Sequence, residues 1–243
     1  MQIKDSVVLI TGAATRVGRE VALSLAQKGA HISFTYYLED EPWQEAQKEI
    51  EACGVRCLAH QVEMRDSAKI NAWVGHTLEM FGRIDVLINS AAIWLKAPFL
   101  EITEEDWDMA MDVNLKGPFL CSRAVAPAML KQGQGVIINI TDLSAFQVWP
   151  GYAHHASSKA GLVALTKAMA YELAPAVRVN AIAPGTVLLP PNPSPEKIKW
   201  AVEKSVLKRV GTPADLAHLA TFLIENDFAT GSVYFVDGGR SLV

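Results

Sequence analysis

Cysteine is scarce: the 243 residues hold three, Cys53, Cys57 and Cys121. A sparse, odd set excludes a disulfide framework and fits a reducing compartment. Cys53, Cys57 and His60 suggest a metal cluster on paper. Their spacing crosses a predicted helix end and the next strand, and no fourth ligand is at hand, so packing is their expected role and no metal is expected. Blocks of one charge are missing too. The net charge is −4 and the basic residues are scattered, with Lys208 and Arg209 the densest pair near the end. That leaves no electrostatic footprint for nucleic acid or an anionic membrane surface. No apolar run reaches the about 20 residues that a membrane span needs. The opening MQIKDSVVLITG passes from a short polar lead into one strand-length apolar stretch, without a cleavage site. A cytoplasmic protein is expected. No repeat, low-complexity tract or linker divides the chain, so one domain over residues 1–243 is expected.

What is present is apolar patterning. Half of the residues are apolar, enough for one large core. Continuous apolar runs, as expected for strands covered on both faces, fall at 6–11, 31–37, 55–60, 84–88, 136–140, 177–181 and 232–236. Helical spacing fills the intervals: 17–28, 43–52, 67–81, 103–131, 152–173, 196–204 and 213–224. Thr103 followed by Glu104, Glu105 and Asp106 reads as a helix start with acids at the positive end of the dipole. Pro118 inside that helix predicts a kink just upstream, near Asn114. Strand–helix alternation predicts an α/β fold: a Rossmann-type, doubly wound parallel sheet of about seven strands with helices on both faces.

The first strand runs straight into Thr11-Gly12-Ala13-Ala14-Thr15-Arg16-Val17-Gly18 and then a helix. In that setting Gly12 allows the tight turn, Gly18 allows the helix to pack closely, and free N–H groups at the helix start can hold a pyrophosphate. The segment resembles the TGxxxGxG motif of the short-chain dehydrogenase/reductase family. The resemblance continues in order through Asn89-Ser90-Ala91-Ala92, Asn114, the surroundings of Lys159, Pro184-Gly185 and Val236-Asp237-Gly238-Gly239, over essentially the whole chain. It implies a nicotinamide dinucleotide cofactor, held by Gly12, Arg16, Val17, Gly18, Tyr36, Glu63, Met64, Asn89, Ser90, Ala91, Lys159, Pro184, Gly185 and Thr186. Arg16 stands where the family has its middle glycine, which is similar to the pteridine reductase subgroup. There the arginine lies near the pyrophosphate and the substrate. Trp94 matches an aromatic that stacks on the substrate ring in that subgroup.

Cofactor choice is read after the second strand. Glu39, Asp40 and Glu41 would repel a 2′-phosphate, and no cation at Thr15 offsets them, so NAD(H) is favoured. Tyr36 stands near the position of the family's usual NAD-selecting aspartate, which leaves NADP(H) open.

The family's catalytic residues are Asn, Ser, Tyr and Lys. Asn114 and Lys159 match the first and last. The tyrosine position, four before Lys159, is His155, and the serine position, thirteen before that, is Asp142. An aspartate there again matches the pteridine reductase subgroup; the histidine does not. With an ordinary pKa of about 6.5, His155 would be a readier proton donor near neutrality than tyrosine at about 10. Asp142 would raise that pKa and Lys159 would lower it. Imidazole is shorter than phenol, so a bridging water or direct donation from Asp142 would close a gap of about 2 Å. His154 is expected on the helix surface or in the core.

The resemblance implies a reductase of a small ring or carbonyl compound, a pterin among the candidates. Arg16, Trp94 and Asp142 would face the substrate, and residues 186–200, with their four prolines, would form the substrate loop. The alternative is a catalytically impaired dinucleotide-binding protein with a regulatory or structural role. The family also implies a homotetramer, with Phe119, Val125, Met129, Val163, Leu165 and Met169 available for helix packing between subunits.

Overall fold

A computed structural model describes residues 1–243. In chain order, β1 (Val7–Ile10), α1 (Arg16–Gln27), β2 (His31–Tyr36), α2 (Trp43–Glu51), β3 (Cys57–Gln61), α3 (Ser67–Phe81) and β4 (Val86–Asn89) make the first half. α4 (Glu104–Met111), α5 (Gly117–Gln132), β5 (Gly135–Ile140), α6 (Ala153–Glu172), β6 (Val177–Pro184), α7 (Pro195–Glu203), α8 (Pro213–Glu225) and β7 (Val233–Val236) make the second. The seven strands form one parallel sheet in the order β3-β2-β1-β4-β5-β6-β7. The order reverses between β1 and β4, and that switch point opens a crevice at the carboxyl ends of the strands.

The apolar strand runs are buried because both faces of the sheet are covered. Val8 and Ile10 point into one cluster with Val21, Leu25, Leu216 and Leu223 from α1 and α8. Val7 and Leu9 point into the other, with Trp73, Val125 and Met129 from α3 and α5. Alternation along β1 therefore feeds two cores rather than a core and a wet face. Trp73 is fully buried, and its indole N–H donates to Ser33 Oγ at 2.8 Å, which in turn lies 2.8 Å from Thr77 Oγ1. No partner is missing from that polar trio, as burial of polar groups demands.

Two expectations are revised. The helix expected over 103–131 is broken: α4 and α5 are joined by a π-helical turn, Asp112–Lys116. Pro118 has no N–H to donate, and the chain answers with one wide turn instead of a bent α-helix. That turn buries Asn114 completely. Thr103 and Asp106 do form a reciprocal capping box at the start of α4. Val125 and Met129, expected at a subunit contact, are fully buried inside this chain's own core. Phe119 remains exposed, and Val163, Leu165 and Met169 are half-buried.

Candidate active site

The crevice is a cleft of about 700 Å³ whose wall is assembled from the loops after β1 to β6. The glycine loop after β1 is fixed first. Gly12 has φ +66°, a left-handed conformation natural to glycine, and a Cβ there would come within 3.0 Å of the Ala91 backbone. A Cβ on Gly18 would run into the Gly12 carbonyl oxygen. Gly12 N donates to Thr35 Oγ1 at 3.1 Å, and Ser90 N and Ala91 N donate to Thr11 Oγ1 at 2.9 and 3.0 Å. The loop is thus tied to β2 on one side and to the segment after β4 on the other. Arg16 carries φ +55°. The family's middle glycine would take that conformation freely, whereas a side chain there costs about 1 kcal/mol or more. This bare-backbone cradle at the start of α1 fits a pyrophosphate-bearing dinucleotide.

At the end of β2, Tyr36 stacks almost flat on Trp43, ring centres 4.9 Å apart and planes at 5°. The Glu41 carboxylate folds back to accept from Tyr37 N at 2.9 Å and Leu38 N at 2.8 Å. Tyr36, Tyr37 and Glu41 line the cleft, and Glu39 and Asp40 do not. Glu63 also lines it, paired with Arg65 at 3.1 Å; hydrogen bonds from Arg65 hold its carboxyl below the usual range against the opposing effect of burial. Met64 packs beside Gly117, where a Cβ would lie 3.1 Å from Met64 Cβ.

The inner end of the cleft holds Asp142, His155 and Lys159. Lys159 is buried, and its Nζ donates to the Ile140 carbonyl at 2.9 Å. Burial lowers its pKa to about 8, against the attraction of Asp142. Asp142 shifts the other way. Burial raises its pKa, while the Ser144 hydrogen bonds and the charges of Lys159 and Arg240 oppose the rise. Its Oδ1 accepts from Ser144 N at 2.7 Å.

His155 departs from the expectation. Its pKa is lowered to about 4, by burial first and then by Lys159. At neutral pH the ring is uncharged and is no resting proton donor. Nδ1 lies 3.2 Å from the Ile93 carbonyl oxygen and 3.4 Å from Asn114 Nδ2. A carbonyl can only accept, so Nδ1 carries the proton and Nε2 presents a lone pair. That Nε2 is buried without a partner. The ring packs on Trp94, centres 4.3 Å apart. Trp94 is 51% exposed and also touches Tyr152 and Trp149, so it stands in an aromatic wall at the cleft rather than in the core. His154, by contrast, is fully buried with neither ring nitrogen partnered.

Of the residues singled out from sequence, Gly12, Arg16, Val17, Gly18, Tyr36, Glu63, Met64, Ser90, Ala91, Trp94, Asp142, His155, Lys159, Pro184 and Gly185 share the cleft wall. Three lie off it. Asn89 donates to Asn139 Oδ1 at 2.8 Å and Ser122 Oγ at 3.3 Å, inside the sheet–helix layer. Asn114 donates to the Ile93 carbonyl and Ser158, and accepts from Ile93 N at 2.9 Å, so it braces the loop that carries Trp94. Thr186 turns to a second cavity, where Oγ1 accepts from Arg240 at 2.7 Å. Sequence reasoning missed Thr11, Thr35 and Arg240. Both threonines fall at the carboxyl ends of the apolar runs 6–11 and 31–37, which is the signal for their hydroxyls; nothing in the sequence marks Arg240.

Comparison with known proteins agrees with this geometry. The family described as enoyl-(acyl carrier protein) reductase matches residues 12–241. A dehydrogenase subunit of Thauera aromatica, (2S)-[(R)-hydroxy(phenyl)methyl]succinyl-CoA dehydrogenase subunit BbsD, is 36% identical over 250 residues, covering 100% of this chain and 99% of its own length. The 3-oxoacyl-[acyl-carrier-protein] reductase FabG of Thermotoga maritima is 36% identical over 244 residues, covering 98% and 99%. The solved short-chain dehydrogenase/reductase from Serratia marcescens superposes with a TM-score of 0.93 at 28% identity, covering 99% of this chain and 100% of that one.

Proposed function

The chain belongs to the short-chain dehydrogenase/reductase family and is an NAD(P)H-dependent oxidoreductase, and on that premise we propose that it reduces a small ring or carbonyl compound with Asp142 as the proton donor. The carrying observation is the pair of opposed environments at the inner cleft: the Asp142 carboxyl is raised by burial, while His155 is held neutral. A carboxyl that keeps its proton nearer neutrality can give it up to a developing alkoxide or ring anion.

The cofactor, when bound, supplies the reducing equivalent, and the protein orients and protonates. The glycine loop and the start of α1 would hold the pyrophosphate, and Arg16 would add a guanidinium there. Lys159 would hold the nicotinamide ribose, with its charge opposing the rise of the Asp142 pKa and its ammonium pinned by the Ile140 carbonyl. His155 would accept a hydrogen bond through Nε2 from a water or a substrate donor and pass a proton along to or from Asp142. Asn114 would act at one remove, fixing the Ile93 carbonyl to which His155 is bonded. Trp94 would cover a flat substrate, a pterin-like ring included.

NAD(H) is the preferred cofactor in this reading. Glu41 already occupies the two backbone N–H groups at the β2 end and places a negative charge where a 2′-phosphate would lie. Residues 186–200 would form the substrate loop, and the assembly would be a cytoplasmic homotetramer. A panel of pterins, quinones and small carbonyls, assayed with NADH and NADPH in parallel, tests the reading. Turnover of at least one compound supports it, and binding of cofactor without any turnover favours a regulatory dinucleotide-binding protein instead.

A further inference from the structure

Arg240 comes from the carboxyl-terminal turn, far in sequence from the rest of the site, yet the cavity it lines borders the cleft at Val187. Its guanidinium carbon lies 4.8 Å from the ring centre of Trp149 and 4.9 Å from that of Trp200. Nη1 donates to Thr186 Oγ1 at 2.7 Å, and no other side-chain donor of Arg240 meets a protein acceptor. The residue lines a second cavity of about 400 Å³ that shares Val187 with the cofactor cleft. The other charges of that cavity are engaged. Arg209 bonds both Asp215 oxygens, at 2.9 and 3.0 Å, and the Asp237 carboxylate accepts from Gly239 N and Ser241 N. Asp142 and Arg240 sit close enough to feel each other's charge.

A guanidinium held by stacking, but short of acceptors, is organised in advance for a planar anion. We propose that Arg240 anchors a carboxylate of the substrate, so that the reactant is an acidic carbonyl compound with its carboxylate in the second cavity and its reacting carbon in the cleft beside Asp142. A single carboxylate fits better than a phosphate, because the Asp237 carboxylate on the cavity wall is bonded only by backbone N–H groups and opposes a dianion more strongly. The inference rests on the reductase reading of the same cleft and narrows its substrate class.

Calorimetric titration of the protein saturated with NAD⁺, a combination that cannot reduce a ketone, isolates binding from turnover. The probes are 2-oxobutanoate, 4-oxopentanoate and 5-oxohexanoate, each against its methyl ester. At least one acid should bind 10-fold or more tightly than its ester. Arg240→Gln should weaken that acid about 10- to 100-fold, and Arg240→Lys should recover only part, because the planar fork is lost. Equal binding of every acid and its ester overturns the proposal, as does an Arg240→Gln variant that weakens acid and ester alike. The acid–ester contrast in the wild-type chain decides the matter even if Arg240→Gln fails to fold. Acid selectivity without NADH-dependent turnover of any compound would count against the reductase reading and leave the anchor standing.

Discussion

The imidazole of His155 lies 4.3 Å from the indole of Trp94, tilted by 58°, and Trp94 is the more exposed of the two. The pair joins the buried Asp142–Lys159 end of the cleft to the open aromatic wall. In the proposed reading His155 acts through Nε2, which is buried without a partner, and it also supports Trp94. His155→Ala should lower turnover about 10- to 10³-fold. His155→Tyr restores a hydroxyl at that position and should leave activity equal or higher. Steady-state kinetics on any active substrate checks both, and a silent His155→Ala would reduce the residue to filler.

The lowered pKa of the same histidine predicts an acid-sensitive fold. Its pKa is about 4 in the folded chain and about 6.5 when unfolded. Between those values the unfolded state binds the extra proton, so stability is complete above pH 6.5 and falls as pH drops toward 4. The total is about 3 kcal/mol, of which about 2 kcal/mol is lost between pH 7 and 5. Chemical denaturation at the two pH values should show that loss shrinking in His155→Phe. An unchanged pH dependence in the variant would place the sensitivity elsewhere.

The Glu41 latch sets an expectation for the cofactor. NADH should bind more tightly than NADPH in a nicotinamide-fluorescence titration, and Glu41→Ala should narrow the gap by about 10-fold, since it frees Tyr37 N and Leu38 N for an anion. Equal or tighter NADPH binding by the unaltered chain would mean that Arg16 or another cation outweighs the carboxylate.

The family resemblance implies a homotetramer. Phe119, Tyr171, Phe228 and Leu242 stand in the open, Phe228 at 99% exposure. These side chains are available for subunit contacts, and light scattering at micromolar concentration should return the mass of a tetramer. A monomer would contradict that expectation.

The sheet was legible in the sequence because its strands are continuous apolar runs between glycine turns, a pattern that only burial on both faces explains. The cofactor loop was legible because Gly12 and Gly18 leave room that no side chain could share. Pro118 announced a disturbance near Asn114, but its form, a π-turn, depends on packing that Gly117 permits against Met64. Val125 and Met129 show the limit of periodicity, since an apolar helix stripe does not say whether it faces its own sheet or another subunit. For His155 the lowering by Lys159 was legible, but not the burial that dominates it. That burial is a tertiary effect, and the opposing hydrogen bond comes from a carbonyl 62 residues away. Arg240 was missed for the same reason, its Thr186 partner being 54 residues distant.

The central claim is that Asp142 delivers the proton. The direct measurement is NADH-dependent turnover of one active carbonyl substrate by the wild-type chain and by Asp142→Ala from pH 5 to 9, with NADH affinity as the folding control. Asp142→Ala should bind NADH normally and lose at least as much turnover as His155→Ala, on the order of 10²- to 10⁴-fold. An Asp142→Ala variant that keeps wild-type turnover and the wild-type pH profile would contradict it.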